Sequence, residues 1–178
     1  MLVACGRVRF EPTARDGASI DVPIDTPASV AALFEAESGT LTAPFEIASD
    51  SAAHGGAYLL DNDPQGLGGP GAATFTFEIA TAATYYIWGR TFAPDASRDS
   101  FFISIDGGAK LNYDSSACVH SPSWEWSVVL VAGNCPNTTE QTFAFTAGAH
   151  TLELSSREGL SAIDRILVTS DPMFDAKD

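Results

Sequence analysis

The sequence predicts an all-β fold, a sandwich of antiparallel sheets, and three observations carry that prediction. From residue 33 onward, short runs of β-type sequence recur between turn signals, about nine in all. No stretch shows the 3.6-residue periodicity of an amphipathic helix. The chain has 15 Gly and 10 Pro but only nine Lys and Arg in 178 residues, as loop-rich exported β proteins do.

The first run opens with Phe34-Glu35-Ala36-Glu37. Residues two apart on a strand point to one face, so Glu35 and Glu37 converge. Residues 73–79 alternate cleanly, with Phe75, Phe77 and Ile79 on the inner face and Thr74, Thr76 and Glu78 outside. Strands follow over 85–90 and 100–105, the latter ended by the tight-turn sequence Asp106-Gly107-Gly108. Over 124–131, Trp124, Trp126, Val128 and Leu130 share a face. Residues 142–146 and 151–155 form a hairpin around Ala147-Gly148-Ala149-His150, and 162–169 closes the series with Asp164. First and last strands of a sandwich commonly lie side by side. Glu35, Glu37 and Asp164 can then meet as three hard oxygen donors, a set that suits Ca²⁺ at a structural seam. Asp171-Pro172 ends the fold, leaving 173–178 as a short acidic tail.

Residues 1–32 read differently, as an N-terminal tether or extended arm. Ser19-Ile20-Asp21-Val22-Pro23-Ile24-Asp25 alternates like a strand, with Pro23 confining it to an edge. It serves as a tether, as the tail of an upstream domain, or as an arm that pairs with another chain. Leu2-Val3-Ala4-Cys5-Gly6 resembles a bacterial lipoprotein cleavage box, which marks Cys5 for lipidation and the domain for a membrane tether. The alternative is a free or intermolecular Cys5. Cys118 and Cys135 flank the strand that starts at Trp124 and are placed to close a disulfide in an exported protein.

Charge excludes some functions. Nine basic against 23 acidic residues give a formal charge of −14, which argues against nucleic acid and against anionic membrane surfaces. The Gly66-Leu67-Gly68-Gly69-Pro70-Gly71 run lacks the Lys-Ser/Thr of a phosphate loop. His54, His120 and His150 have no zinc spacing, and no nucleophile elbow is present. Asp61-Asn62-Asp63 departs from EF-hand spacing and reads as an Asx turn rather than a second calcium site.

The order of motifs resembles carbohydrate-binding modules of families 6 and 35. The matching pieces are Glu35-Ala36-Glu37-Ser38-Gly39, Gly55-Gly56-Ala57-Tyr58-Leu59, Thr84-Tyr85-Tyr86-Ile87-Trp88-Gly89-Arg90 and Phe101-Phe102-Ile103-Ser104-Ile105-Asp106-Gly107. Trp124-Glu125-Trp126, Ala147-Gly148-Ala149-His150-Thr151-Leu152 and Ile163-Asp164-Arg165-Ile166 complete the order. The resemblance implies a β-jelly-roll over residues 33–172 that docks on polysaccharide without catalysis, outside the cell or on its surface. It also implies a structural calcium on Glu35, Glu37 and Asp164, with main-chain carbonyls near His54 to Ala57. Sugar would be held by loops at one end.

Sugar rings pair an apolar C–H face with a rim of hydroxyls, so a binder needs a flat aromatic ring beside planar hydrogen-bonding groups. Trp124, at the start of its strand, is the expected platform, with Trp126 deeper on the same face. Arg90, Arg98, Asp99, Arg157 and Glu158 are the expected polar partners; the alternative for Arg98-Asp99 and Arg157-Glu158 is a pair of local salt bridges on the loops, worth little energetically. If several arginines line the cleft, an acidic sugar such as a uronate or sulfated galactan follows, because guanidinium forks match those oxygens. A different reading is a structural or adhesive surface protein, in which the N-terminal arm completes a neighbour's sheet and the chain self-associates.

Overall fold

The structure is a computed structural model and describes residues 30–63, 68–116, 118–131 and 139–174. Two antiparallel sheets face each other. The seven-stranded sheet contains β1 (Val30–Glu35), β3 (Phe45–Ser49), β4 (Ala57–Asp61), β6 (Ala83–Ala93), β9 (Ser121–Val128), β10 (Phe143–Phe145) and β12 (Ala162–Thr169). The five-stranded sheet is ordered β2 (Thr40–Thr42), β5 (Ala72–Ile79), β11 (Gly148–Ser156), β7 (Ser100–Ile105) and β8 (Leu111–Asp114). No α-helix occurs among the described residues.

The alternation read from the sequence sets the core. Phe75, Phe77 and Ile79 of β5 are buried, and Thr76 and Glu78 are exposed. They meet Ile87, Ile163, Ile166 and Val168 from the opposite sheet in one apolar cluster. Gly89 is required there, because a Cβ at this position would stand 2.5 Å from the Tyr113 hydroxyl. That hydroxyl in turn donates to the Ser127 carbonyl at 3.0 Å, so the absent side chain makes room for a buried polar tie between sheets.

The first and last strands do pair. β1 runs antiparallel to β12, with Phe34 opposite Ile166 and Glu35 opposite Arg165. Three expectations need correction. The strand begins at Val30, so residues 30–32 belong to the sheet and not to the arm. Glu37 is not on the strand. It sits in a single 3₁₀ turn, Ala36–Ser38, so the two-residue spacing does not align it with Glu35. Residue 174 is not a free tail: the Phe174 ring lies 5.5 Å from Trp88 and 5.7 Å from Trp126. The proposed arm at Ser19 to Asp25, Cys5 and Cys135 all lie outside the described residues. Cys118 is disulfide-bonded.

The ends of β4, β6, β8 and β11 and the starts of β5, β7, β9 and β12 gather at one end of the sandwich. This follows from the registers Leu60 to Ala162, Ala162 to Phe92, Ala93 to Ser121, Ser100 to Asp114 and Ser155 to Ala72. All loops that join the two sheets at that end are therefore neighbours.

Candidate functional site

Two regions hold the residues singled out in the sequence. The first is the seam at the Glu35 end of β1. Asp164 falls where the register of β12 on β6 shifts between Ile163 and Arg165. This bulge leaves it fully buried. It accepts the His54 amide at 3.1 and 3.0 Å and a short hydrogen bond from Arg90. Glu35 Oε1 lies 2.9 Å from His54 Nδ1 and 3.3 Å from Arg165 Nε. The other oxygens, Glu35 Oε2 and Glu37 Oε2, are buried without a hydrogen-bond partner. Burial pushes the Glu37 carboxyl above its usual range, and the nearby Glu35 and Asp164 charges add to that. The three carboxylates are thus neighbours, although no group of three metal-ligating side chains is closed at ligand geometry among the described residues.

Arg90 belongs to this seam and not to the sugar loops, since it is buried against Asp164 and the Ala52 carbonyl (3.3 Å). The seam then continues into Trp124, which is more buried than the sequence suggested. Trp124 is only 8% exposed, and it borders a cleft of about 280 Å³ that Asp50, Ala52, Arg90, Phe92, Pro122 and Ser123 also line. Its ring packs 5.1 Å from Tyr58 and 5.7 Å from Phe92, and its indole N–H donates to Asp50 at 3.0 Å. Together with the Ala52 amide, that bond keeps the Asp50 carboxyl below its usual range. The cause is the β3–β4 connection, 50–56, which folds over the sheet face that faces away from the main core. There Ala53, Ala162, Tyr58 and Leu60 make a second apolar cluster around Trp124. Trp126, expected to be deeper, is the more exposed of the pair and stands opposite Arg90 on β6.

The second region is the loop end. Here Asp99, Arg157 and Glu158 do converge, from the 94–99 loop and the β11–β12 turn. The Asp99 amide donates to Glu158 Oε2 at 3.3 Å, Asp99 Oδ2 lies 2.8 Å from His120 Nε2, and Arg157 donates to Glu158 Oε1 at 2.7 Å. Burial raises the Asp99 carboxyl, and the adjacent Glu158 charge reinforces it. Burial opposes ionisation of Glu158 as well, but hydrogen bonds from Ser100 and Asp99 and the Arg157 charge outweigh it and hold Glu158 low. Arg98 turns away to Asp95, which it chelates through two nitrogens. That pairing and the Ser97 hydrogen bonds hold the Asp95 carboxyl far below its ordinary value.

Two clefts lie at this end, with His120 lining one and Arg98 the other. One, about 400 Å³, lies between the β8–β9 loop and the start of β9. It is lined by Ser115, Ser116, His120, Ser121, Ser123, Glu125 and Trp126, among others. Ser121, Ser123 and Glu125 form a hydroxyl–carboxylate chain, with Ser123 Oγ donating to Glu125 Oε1 at 2.7 Å. The other cleft, about 590 Å³, is lined by Asn62, Asp63, Asp95, Ser97, Arg98, Gly159 and Leu160. Leu160 is held in the left-handed region, φ 65°, where its amide donates to the Asp61 carbonyl at 2.6 Å. Sequence reasoning missed Glu125, His120 and the serines. Ser121-Pro122-Ser123-Trp124-Glu125 carried the signal, since polar residues at a strand start beside a loop are placed to face a ligand.

No family model matches the chain, and no curated protein matches it. Solved structures do. A family 35 carbohydrate-binding module from Clostridium thermocellum is 19% identical, with a TM-score of 0.56 over 77% of this chain and 97% of that one. A module of Cellvibrio mixtus lichenase 5A, solved with cellotriose, is 15% identical, with a TM-score of 0.54 over 79% and 97%. The exo-β-1,3-galactanase of Phanerochaete chrysosporium is 17% identical at a TM-score of 0.56 over 79% of this chain, which spans 29% of the galactanase. The chain has the β-sandwich jelly-roll of family 6 and family 35 carbohydrate-binding modules.

Proposed function

We propose that the chain is a non-catalytic carbohydrate-binding module that acts outside the cell and holds a structural calcium ion. The observation that carries the sugar assignment is the 400 Å³ loop-end cleft. Hydroxyls, a carboxylate, an imidazole and a tryptophan line it, the mixture that a sugar's hydroxyl rim and C–H face require. Its fold is one in which a relative was solved with cellotriose. Glu125 would accept ring hydroxyls, His120 and the serines would bond their neighbours, and Trp126 would border the ring face. A glycan array should identify a ligand. Trp126→Ala and Glu125→Ala should each then lower affinity about 10–30-fold, the scale of an interface hot spot, with melting unchanged. Full retention by both variants would move the site elsewhere.

Calcium fits the seam on the chemistry of its donors. Glu35 Oε2 and Glu37 Oε2 are buried acceptors with no hydrogen-bond partner. A hard divalent cation would satisfy both and relieve the repulsion among the three carboxylates. Glu35, Glu37 and Asp164 would hold it, and the ion would act as a clamp between β1 and β12. Calcium at about 100 times its Kd should therefore add about 2.7 kcal/mol of stability. Glu37→Gln should remove that increment and, by taking one charge out of the repelling trio, should not lower the melting temperature in chelator. An identical melting curve with calcium and with chelator would end the assignment.

A further inference from the structure

We infer that the ligand of the loop end is an uncharged oligosaccharide, and that uronate and sulfated chains are disfavoured because each Lys and Arg among the described residues already has a carboxylate beside it. The inference rests on the carbohydrate-binding reading and names the class of sugar that reading leaves open.

The strongest side-chain partner for an anionic sugar is a guanidinium or ammonium that can turn to it. Five such groups fall among the described residues, and each has a carboxylate beside it. Arg90 is paired with Asp164, Arg98 with Asp95, Lys110 with Glu153 (3.7 Å), Arg157 with Glu158 (2.7 Å) and Arg165 with Glu35 (3.3 Å). At the loop end the two candidates are Arg98 and Arg157. Arg157 is drawn inward by Ser100 and Glu158. Arg98 stands in the second cleft, but Asp95 occupies its fork and is itself fixed by the Ser97 amide (3.1 Å) and hydroxyl (2.6 Å). A sugar carboxylate would have to break that preformed pair and would meet Asp63 and Asp95 in the same cleft. In the first cleft the fixed charge is Glu125, again negative. The formal charge of −14 over the whole chain opposes approach of a polyanion at longer range. Neutral hydroxyls face none of these costs, because carboxylates and serines are acceptors and donors for them.

The test uses the whole chain on an array of matched glycans, each uronate polymer beside its carboxyl-reduced form, in 50 and 500 mM NaCl. Retention of neutral glycans at least tenfold above their uronate partners, with little change in salt, is expected. Asp95→Asn, which releases Arg98, should narrow that ratio by raising uronate retention. Uronate or sulfated glycans bound as well as neutral ones, or a ratio untouched by Asp95→Asn, would overturn the inference and leave carbohydrate binding standing. An array with no ligand of either kind would overturn both.

Discussion

Trp124→Ala is expected to destabilise the fold by about 3–5 kcal/mol, the range for removing a large buried aromatic. For a domain of this size that corresponds to a fall of roughly 6–20 °C in melting temperature. The ring is 8% exposed and is packed against Tyr58 and Phe92, so truncation opens a cavity that the sheet face cannot close. It also removes the indole N–H that Asp50 accepts, which is one tie holding the 50–56 connection over the sheet. Arg90 lies 6.0 Å from the ring centroid, and a cation–π contribution is lost with it. Differential scanning fluorimetry of Trp124→Ala beside Trp126→Ala separates the two tryptophans. The first should lose stability, and the second should lose sugar. A Trp124→Ala variant that melts within 2 °C of the parent but no longer binds glycan would return the platform to Trp124.

The same residue shows where sequence reasoning stops. Strict alternation made β5 legible, because Phe75, Phe77 and Ile79 can occupy only the face that the opposite sheet covers. The pairing of the first and last strands was legible for a different reason, the habit of sandwiches to lay those strands side by side. Alternation assigns Trp124 and Trp126 to one face, and says nothing of which loop lies over that face. The 50–56 connection covers Trp124, and Phe174 comes back onto Trp126. Both are contacts between segments far apart in sequence. The short strands β2, β8 and β10 were obscure or partly read for another reason: with three or four residues each, they carry too few alternations to establish a period. At the loop end, the positions of Arg98-Asp99 and Arg157-Glu158 beside turns were enough to bring Asp99, Arg157 and Glu158 together. Local salt bridges were one of the two readings open for these loops, and that one holds: Asp95, three residues before Arg98, and Glu158, next to Arg157, take the guanidinium groups by local geometry. Counting arginines therefore overstated the positive charge available to a ligand.

The second large effect concerns Arg90 and Asp164, and it separates the ion pair from the metal. Arg90→Met should cost about 3–5 kcal/mol, because it leaves the fully buried Asp164 carboxylate with only the His54 amide among its hydrogen bonds at this point. Asp164→Asn should cost less, because the Asn carbonyl and the Ala52 carbonyl still accept from Arg90 while the charge attraction is lost. The two changes act on one bond, so the double variant should cost well under the sum, with a coupling of about 1–3 kcal/mol in a double-mutant cycle. Calcium distinguishes this from the seam carboxylates. The Arg90–Asp164 hydrogen bond does not involve the unpartnered oxygens of Glu35 and Glu37, so the Arg90→Met penalty should persist in chelator. The Glu37→Gln penalty should exist only when calcium is present. If chelation erases the Arg90→Met penalty instead, Arg90 acts solely by orienting Asp164 toward the ion. If the cycle is additive within 0.5 kcal/mol, the pair is not what holds β12 to β6 at the bulge, and stability there must come from the Trp124 cluster alone.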